Sequence, residues 1–303
     1  MKKIKIALLI LMILFLQGCS QHNSSSKMPN VGFKGLEVIY SDNLKELYEY
    51  EVANIKIYLG NEGFHNINKG ILKISVEENY LDLVNSKKYF ELKGGTLEFP
   101  EGESTNVIFS INTKELEKNS IERITDFHIT SCYDYGSEFS VDICIDSDIY
   151  GNNENKICAP KSQKLTKGQG GPVTISEVET RMKYDEAQDR ILPSFIITVK
   201  NQGDGTVIKK NKIDEVCSSE GVDNDDFNIV NLEVKISESG QLTPLVCSQN
   251  FVKLRGGEKK ITCTYEQGLN MDTGTYYTPL NINLKYGYMK VISKKIKIKK
   301  INT

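Results

Sequence analysis

The chain has 303 residues, with 38 Lys and Arg against 40 Asp and Glu and a formal net charge of −2. That balance argues against a nucleic-acid binder, which carries a basic face. A hydrophobic share of 39%, with 15 Tyr, 11 Phe and 7 Pro, is that of a folded chain and not of a disordered stalk.

Residues 1–18 divide into the parts of an export signal. Lys2, Lys3 and Lys5 form a positive start, and Ile6 to Leu16 is an uninterrupted apolar run. The run falls short of the about 20 residues that a membrane-crossing helix needs, and it suits the core of a signal peptide. Leu16-Gln17-Gly18-Cys19 resembles the lipobox of prokaryotic lipoproteins. That resemblance implies cleavage before Cys19 and lipidation of its thiol, with the lipid as the protein's contact with the membrane. Acyl chains contribute about 0.8 kcal/mol per buried methylene, so such an anchor holds essentially permanently. Residues 19–33 read as a polar tether. Processing removes three Lys and leaves 285 of the 303 residues, with 35 basic and 40 acidic side chains.

The rest of the chain repeats itself, which is the most informative observation available from sequence. Ile55-Lys56-Ile57-Tyr58-Leu59-Gly60-Asn61-Glu62-Gly63 matches Phe195-Ile196-Ile197-Thr198-Val199-Lys200-Asn201-Gln202-Gly203, an alternating strand that stops at Asn-x-Gly. The alternation predicts a half-buried strand, and the Asn and Gly predict a turn that uses positive φ. Leu72 to Val76 then parallels Leu232 to Ile236. Phe99 to Glu103, followed by Val107 and Phe109, parallels Leu254 to Glu258, followed by Ile261 and Cys263. Finally Phe127, Ile129, Ser131, Tyr133 and Tyr135 match Leu280, Ile282, Leu284, Tyr286 and Tyr288, and Ile143 and Ile145 match Ile296 and Ile298. Four matches in one order predict two copies of an all-β unit, residues 34–165 and 172–303, joined across the Gly-rich stretch Thr166 to Pro172. Short alternating strands of this kind predict a two-sheet sandwich in each copy. Ser176 to Arg190, charged throughout, reads as an opening strand followed by a polar loop.

Six cysteines follow Cys19: Cys132, Cys144, Cys158, Cys217, Cys247 and Cys263. An even number in an exported chain predicts disulfides, although sequence cannot choose among the pairings. Cys132 and Cys144 lie symmetrically about Glu138, the expected tip of a hairpin, and would be opposed across it. The rival pairing, Cys144 with Cys158, would staple the polar loop between them. Cys247 and Cys263 flank an expected hairpin at Gly256-Gly257. Cys217 is left over, so there is either an odd thiol in each unit or a bridge between units. A zinc site is disfavoured, because no two cysteines form C-x-x-C and His22, His65 and His128 are scattered away from them. Asp146 and Asp148 open a stretch like a calcium loop, and Asp223 and Asp225 lie in a second acidic patch. Both read more simply as solvated loops, with no metal. The Lys-rich run from Lys294 to Lys300 alternates with Ile and reads as a closing strand with a wet lysine face.

At the level of family, the chain resembles the tandem immunoglobulin-like repeats of prokaryotic surface proteins, especially the cell-adhesion-related CARDB type. The residues that carry the resemblance are Asn61-Glu62-Gly63 with Gly102-Glu103, and Asn201-Gln202-Gly203 with Gly257-Glu258. The family implies two tandem immunoglobulin-like sandwiches in a spacer or adhesion role, with no shared catalytic residues. The expectation is therefore a non-catalytic, lipid-anchored interaction module on the extracytoplasmic face, without a cofactor, meeting a protein or glycan at the envelope. The alternative is a lipoprotein subunit of an envelope transport or secretion complex. A carbohydrate-binding or hydrolytic module is a third reading.

Overall fold

Alternating apolar and polar residues become strands through more than half of the described residues. The computed structural model describes residues 32–301 apart from positions 42, 43, 97, 153, 219 and 239. The signal segment, Cys19, His22 and the tether up to residue 31 lie outside the described residues. The first repeat contains β1 (Leu36–Tyr40), β2 (Glu46–Tyr48), β3 (Val52–Asn61), β4 (Ile67–Val76), β5 (Leu81–Leu83), β6 (Lys87–Leu92), β7 (Ser104–Thr113), β8 (Glu122–Asp146) and β9 (Ser162–Lys164). The second contains β10 (Val173–Asp185), β11 (Arg190–Asn201), β12 (Thr206–Ile208), β13 (Ile229–Glu238), β14 (Gln241–Pro244), β15 (Val246–Cys247), β16 (Phe251–Lys253), β17 (Glu258–Thr264) and β18 (Thr275–Lys299). A single short α-helix among the described residues, α1 (Ile213–Ser218), interrupts the second set. No helix among these residues is long and apolar enough to cross a membrane.

The strands form three sheets. A four-stranded sheet has the order β1-β3-β7-β5, and a five-stranded sheet has the order β15-β17-β11-β10-β9. The third, nine-stranded, runs β14-β13-β18-β8-β4-β6, with β12 and β2 also paired to β18 and β16 paired to β13. Equivalent residues pair in equivalent ways. Ile55 lies opposite Phe109 in β3–β7, and Phe195 lies opposite Cys263 in β11–β17. Leu72 lies opposite Ser131 in β4–β8, as Leu232 lies opposite Leu284 in β13–β18. The duplication read from sequence is thus a duplication of pairing register.

The two copies meet along their longest strands. β8 and β18 pair antiparallel over 25 residues, from Glu122 opposite Lys299 to Asp146 opposite Thr275. Because each long strand is displaced by half its length relative to its own repeat, it serves both. The first half of β8 pairs with β4, while its second half, through Ile143 and Ile145, lies against the first half of β18, which pairs with β13. Reciprocally, the end of β18 returns to the first repeat, where Lys297–Lys299 also pairs with β2. Ile143, Ile145, Ile296 and Ile298 are all fully buried in the same core as Phe127 and Leu280. Each copy therefore completes the other's sheet.

This arrangement corrects three expectations. No hairpin exists at Glu138, because β8 runs straight through it to pair with β18. No hairpin forms at Gly256-Gly257 either. There the chain passes from β16, in the nine-stranded sheet, to β17, in the five-stranded one, through two residues with φ of 76° and 88° that glycine tolerates. The charged stretch after Ser176 is not a loop but the continuation of β10 to Asp185, which turns back as β11 with Asp185 opposite Arg190. Val178 and Thr180 are buried there while the charged residues occupy the opposite face.

Candidate functional site

A local dyad relates the two repeats. It passes between Asp134 and Gly287, which lie opposite each other in β8–β18. Four tyrosines surround it on the core side, Tyr133 opposite Tyr288 and Tyr135 opposite Tyr286, all buried. Their ring centroids are 5.7 to 6.4 Å apart, in tilted and edge-on contacts. Each hydroxyl has a fixed task. Tyr133 accepts from Leu36 N and Tyr286 from Val173 N, both at 3.3 Å. Tyr135 donates to the Gly170 carbonyl at 2.9 Å and sits 3.3 Å from Asn61 Oδ1, while Tyr288 sits 3.2 Å from Asn201 Oδ1. In both turns the Asn side chain accepts from the Gly two residues on, Gly63 at 3.2 Å and Gly203 at 3.1 Å. The glycines are needed for a reason different from the one expected. Neither Gly63 nor Gly203 has positive φ. A Cβ at either position would collide with the hydroxyl of Tyr135 or of Tyr288. Burial pushes the phenol of Tyr288 up to about 12 and raises those of Tyr133, Tyr135 and Tyr286 as well. This cluster is a lock between repeats.

On the other face of the shared sheet the dyad is broken. Gly287 leaves room for Ile208 and Ile213, and α1 lies over β8, with Ile71, Cys132, Ile213, Val216 and Cys217 forming a second small core. Asp134 instead accepts from the backbone amides of Asn68 and Lys69, at 2.9 and 2.8 Å, and pairs with Lys210 at 3.6 Å.

The six cysteines form three disulfides. Cys132 bonds to Cys217 and ties α1 of the second repeat onto β8 of the first. Its partner is not Cys144, since both lie along one strand with no hairpin between them. Cys144 bonds to Cys158 and closes the loop that follows β8. Cys247 bonds to Cys263 directly across β15–β17. Three disulfides are those of an extracytoplasmic protein.

Both acidic patches are occupied by the chain's own donors. Lys156 Nζ lies 2.7 Å from Asp146 Oδ2 and 3.4 Å from Asp148 Oδ2, filling the place a cation would take. Asp223 accepts from Asp225 N and caps a short 3-10 turn, and Asp225 pairs with Lys253. His128 is exposed, with Nδ1 2.9 Å from Ser293 Oγ. His65 is half-buried edge-on to Tyr135 at 5.5 Å, and burial lowers its pKa. The lysines from Lys294 to Lys299 belong to β18, where Lys297 and Lys299 pair with Glu122 and Glu46.

A groove of about 830 Å³ lies between Lys209–Lys212 and the outer face of β13–β16. Lys209, Lys210, Lys253, Asn231 and Phe251 are among its lining residues. Sequence alone marks none of these as a site. The run Lys209-Lys210-Asn211-Lys212 was the available signal, but its meaning depends on Phe251 and Lys253 arriving from a distant strand pair.

No known protein family matches the sequence, and no curated protein does. Among solved structures, the secreted serine protease VesC from Vibrio cholerae is similar at 11% identity, covering 88% of this chain and 52% of its own, with a TM-score of 0.21. BuGH86 in complex with neoagarooctaose is similar at 11% identity over 87% of this chain and 34% of its own, with a TM-score of 0.14. The chain thus spans about half the length of the first and a third of the second. At these TM-scores the likeness carries no argument about fold or activity.

Proposed function

We propose that the chain is an exported lipoprotein, anchored through Cys19, whose paired immunoglobulin-like sandwiches form a non-catalytic interaction or spacer module on the extracytoplasmic face. The observation that carries this reading is the cross-bracing between repeats: a 25-residue strand pair, a buried tyrosine cluster and the Cys132–Cys217 bond. Cross-bracing lets such a module present its surface at a fixed angle, which a flexible linker between independent domains does not. The lipobox residues Leu16 to Cys19 supply the anchor, and the three disulfides agree with export.

The test is mass spectrometry of the mature amino terminus together with membrane fractionation. The reading predicts diacyl or triacyl modification of Cys19, and release of a Cys19→Ser chain from the membrane pellet. An unmodified thiol at residue 19 in a chain that stays in the supernatant would overturn it.

A further inference from the structure

We propose that the groove between Lys209–Lys212 and β13–β16 binds an acidic saccharide of the uronic-acid class. The inference rests on the interaction-module reading and names a ligand for it. The groove's volume of about 830 Å³ falls inside the ~300–1,000 Å³ range of small-ligand sites. Its two walls differ in character.

One wall is the outer face of β13–β16, where Phe251 lies opposite Asn231 and Lys253 lies opposite Ile229. Val230 and Val252, between them, point into the core, so register alone commits Phe251 and Asn231 to the groove side. Phe251 is 40% exposed and lines the groove. The other wall is the short turn that brings Lys209, Lys210, Asn211 and Lys212 over the sheet.

The charges are aimed. Lys209 pairs with Asp226 at 3.4 Å and Lys210 with Asp134 at 3.6 Å. In both pairs the carboxylate side chain is nearly buried, at 8% and 7% exposure, while the lysine keeps 39% and 40%. The carboxylates are also engaged by backbone amides, Asp226 by Asp223 N and Asp134 by Asn68 N and Lys69 N. They therefore act as props behind the lysines. Each ammonium has three donors, so donors remain for a ligand in the groove.

The ligand class follows from what the lining offers together. Lysine donors match a carboxylate. The side-chain amides of Asn211 and Asn231 both donate and accept, which matches a ligand with many hydroxyls that do the same better than a compact anion that mainly accepts. The Phe251 ring matches the C–H face of a pyranose. Asp225, on the rim and 76% exposed, accepts from a hydroxyl but repels a dense polyanion. A ligand with sparse negative charge and many hydroxyls satisfies all four.

Calorimetric titration of the full chain in detergent tests the assignment, with trigalacturonate and a chondroitin disaccharide as probes. At least one acidic saccharide binds, its methyl ester binds at least about tenfold more weakly, and inorganic phosphate does not compete. Phe251→Ala and Lys253→Gln each weaken binding by about fivefold or more while the unfolding midpoint stays close to that of the parent. No binding of either probe, equal binding of acid and ester, competition by phosphate, or undiminished binding by Phe251→Ala or by Lys253→Gln overturns the proposal. A Cys19→Ser chain binds as the parent does, so failure of the anchor reading and failure of the saccharide reading are separable.

Discussion

At the scale of single residues, the two copies part company at Gly287. Its symmetry mate is Asp134, which holds a bulge in β4, whereas Gly287 admits the segment leading into α1. A Cβ there would lie 2.7 Å from Ile208 Cγ1 and 3.0 Å from Ile213 Cγ1, in a packed layer with no space to give. Gly287→Ala is therefore expected to cost about 1–3 kcal/mol, measured as a lower denaturant midpoint. An unchanged midpoint would mean that α1 does not pack as described. Tyr135→Phe keeps the ring but strips Gly170 O and Asn61 Oδ1 of a hydroxyl partner, with an expected loss of about 1 kcal/mol. The Asn-x-Gly turns were legible in the sequence as turns. Their cause was not, since it lies in tyrosines 74 and 87 residues away, whose hydroxyls occupy the space beside each glycine.

Strand pairing decides what the disulfides do at the scale of elements. Cys132–Cys217 joins residues 85 apart and clasps α1 to β8, so Cys132→Ala with Cys217→Ala is expected to lower stability by about 2–4 kcal/mol. Cys144–Cys158 closes a surface loop outside the core. Replacing both with Ala is expected to speed tryptic cleavage at Lys156 and Lys161 several-fold under native conditions while shifting the denaturant midpoint much less than loss of the first bond. The strands themselves were legible, because period-two alternation is a local property. Leu280 to Tyr288 declared their buried face in the sequence, and that face is the one in the core. Partner choice was not legible. The symmetry of Cys132 and Cys144 about Glu138 suggested a hairpin, but β8 runs through that point because it finds a longer partner in β18. The lysine groove was hidden for the same reason, since β16 pairs with β13 and not with its neighbour in sequence.

The consequence for the whole molecule is shared fate. Ile143 and Ile145 come from the first repeat and lie in the sheet of the second, so a fragment of residues 172–303 lacks part of its own core and is expected not to fold alone. Alkaline pH probes the same junction. The buried tyrosines have pKa values raised above their unfolded value near 10, so the native state holds protons that the unfolded chain releases. Their contribution is complete below about pH 10 and is lost as pH climbs from there toward the folded values, at up to about 1.4 kcal/mol per pH unit for each tyrosine. Absorbance titration at alkaline pH should show the exposed phenols ionising first and the clustered ones ionising together with unfolding. Scanning calorimetry of the full chain tests the cross-braced architecture most directly. Cross-braced repeats unfold in one transition, with equal calorimetric and van't Hoff enthalpies. Two resolved transitions, one for each repeat, would contradict it.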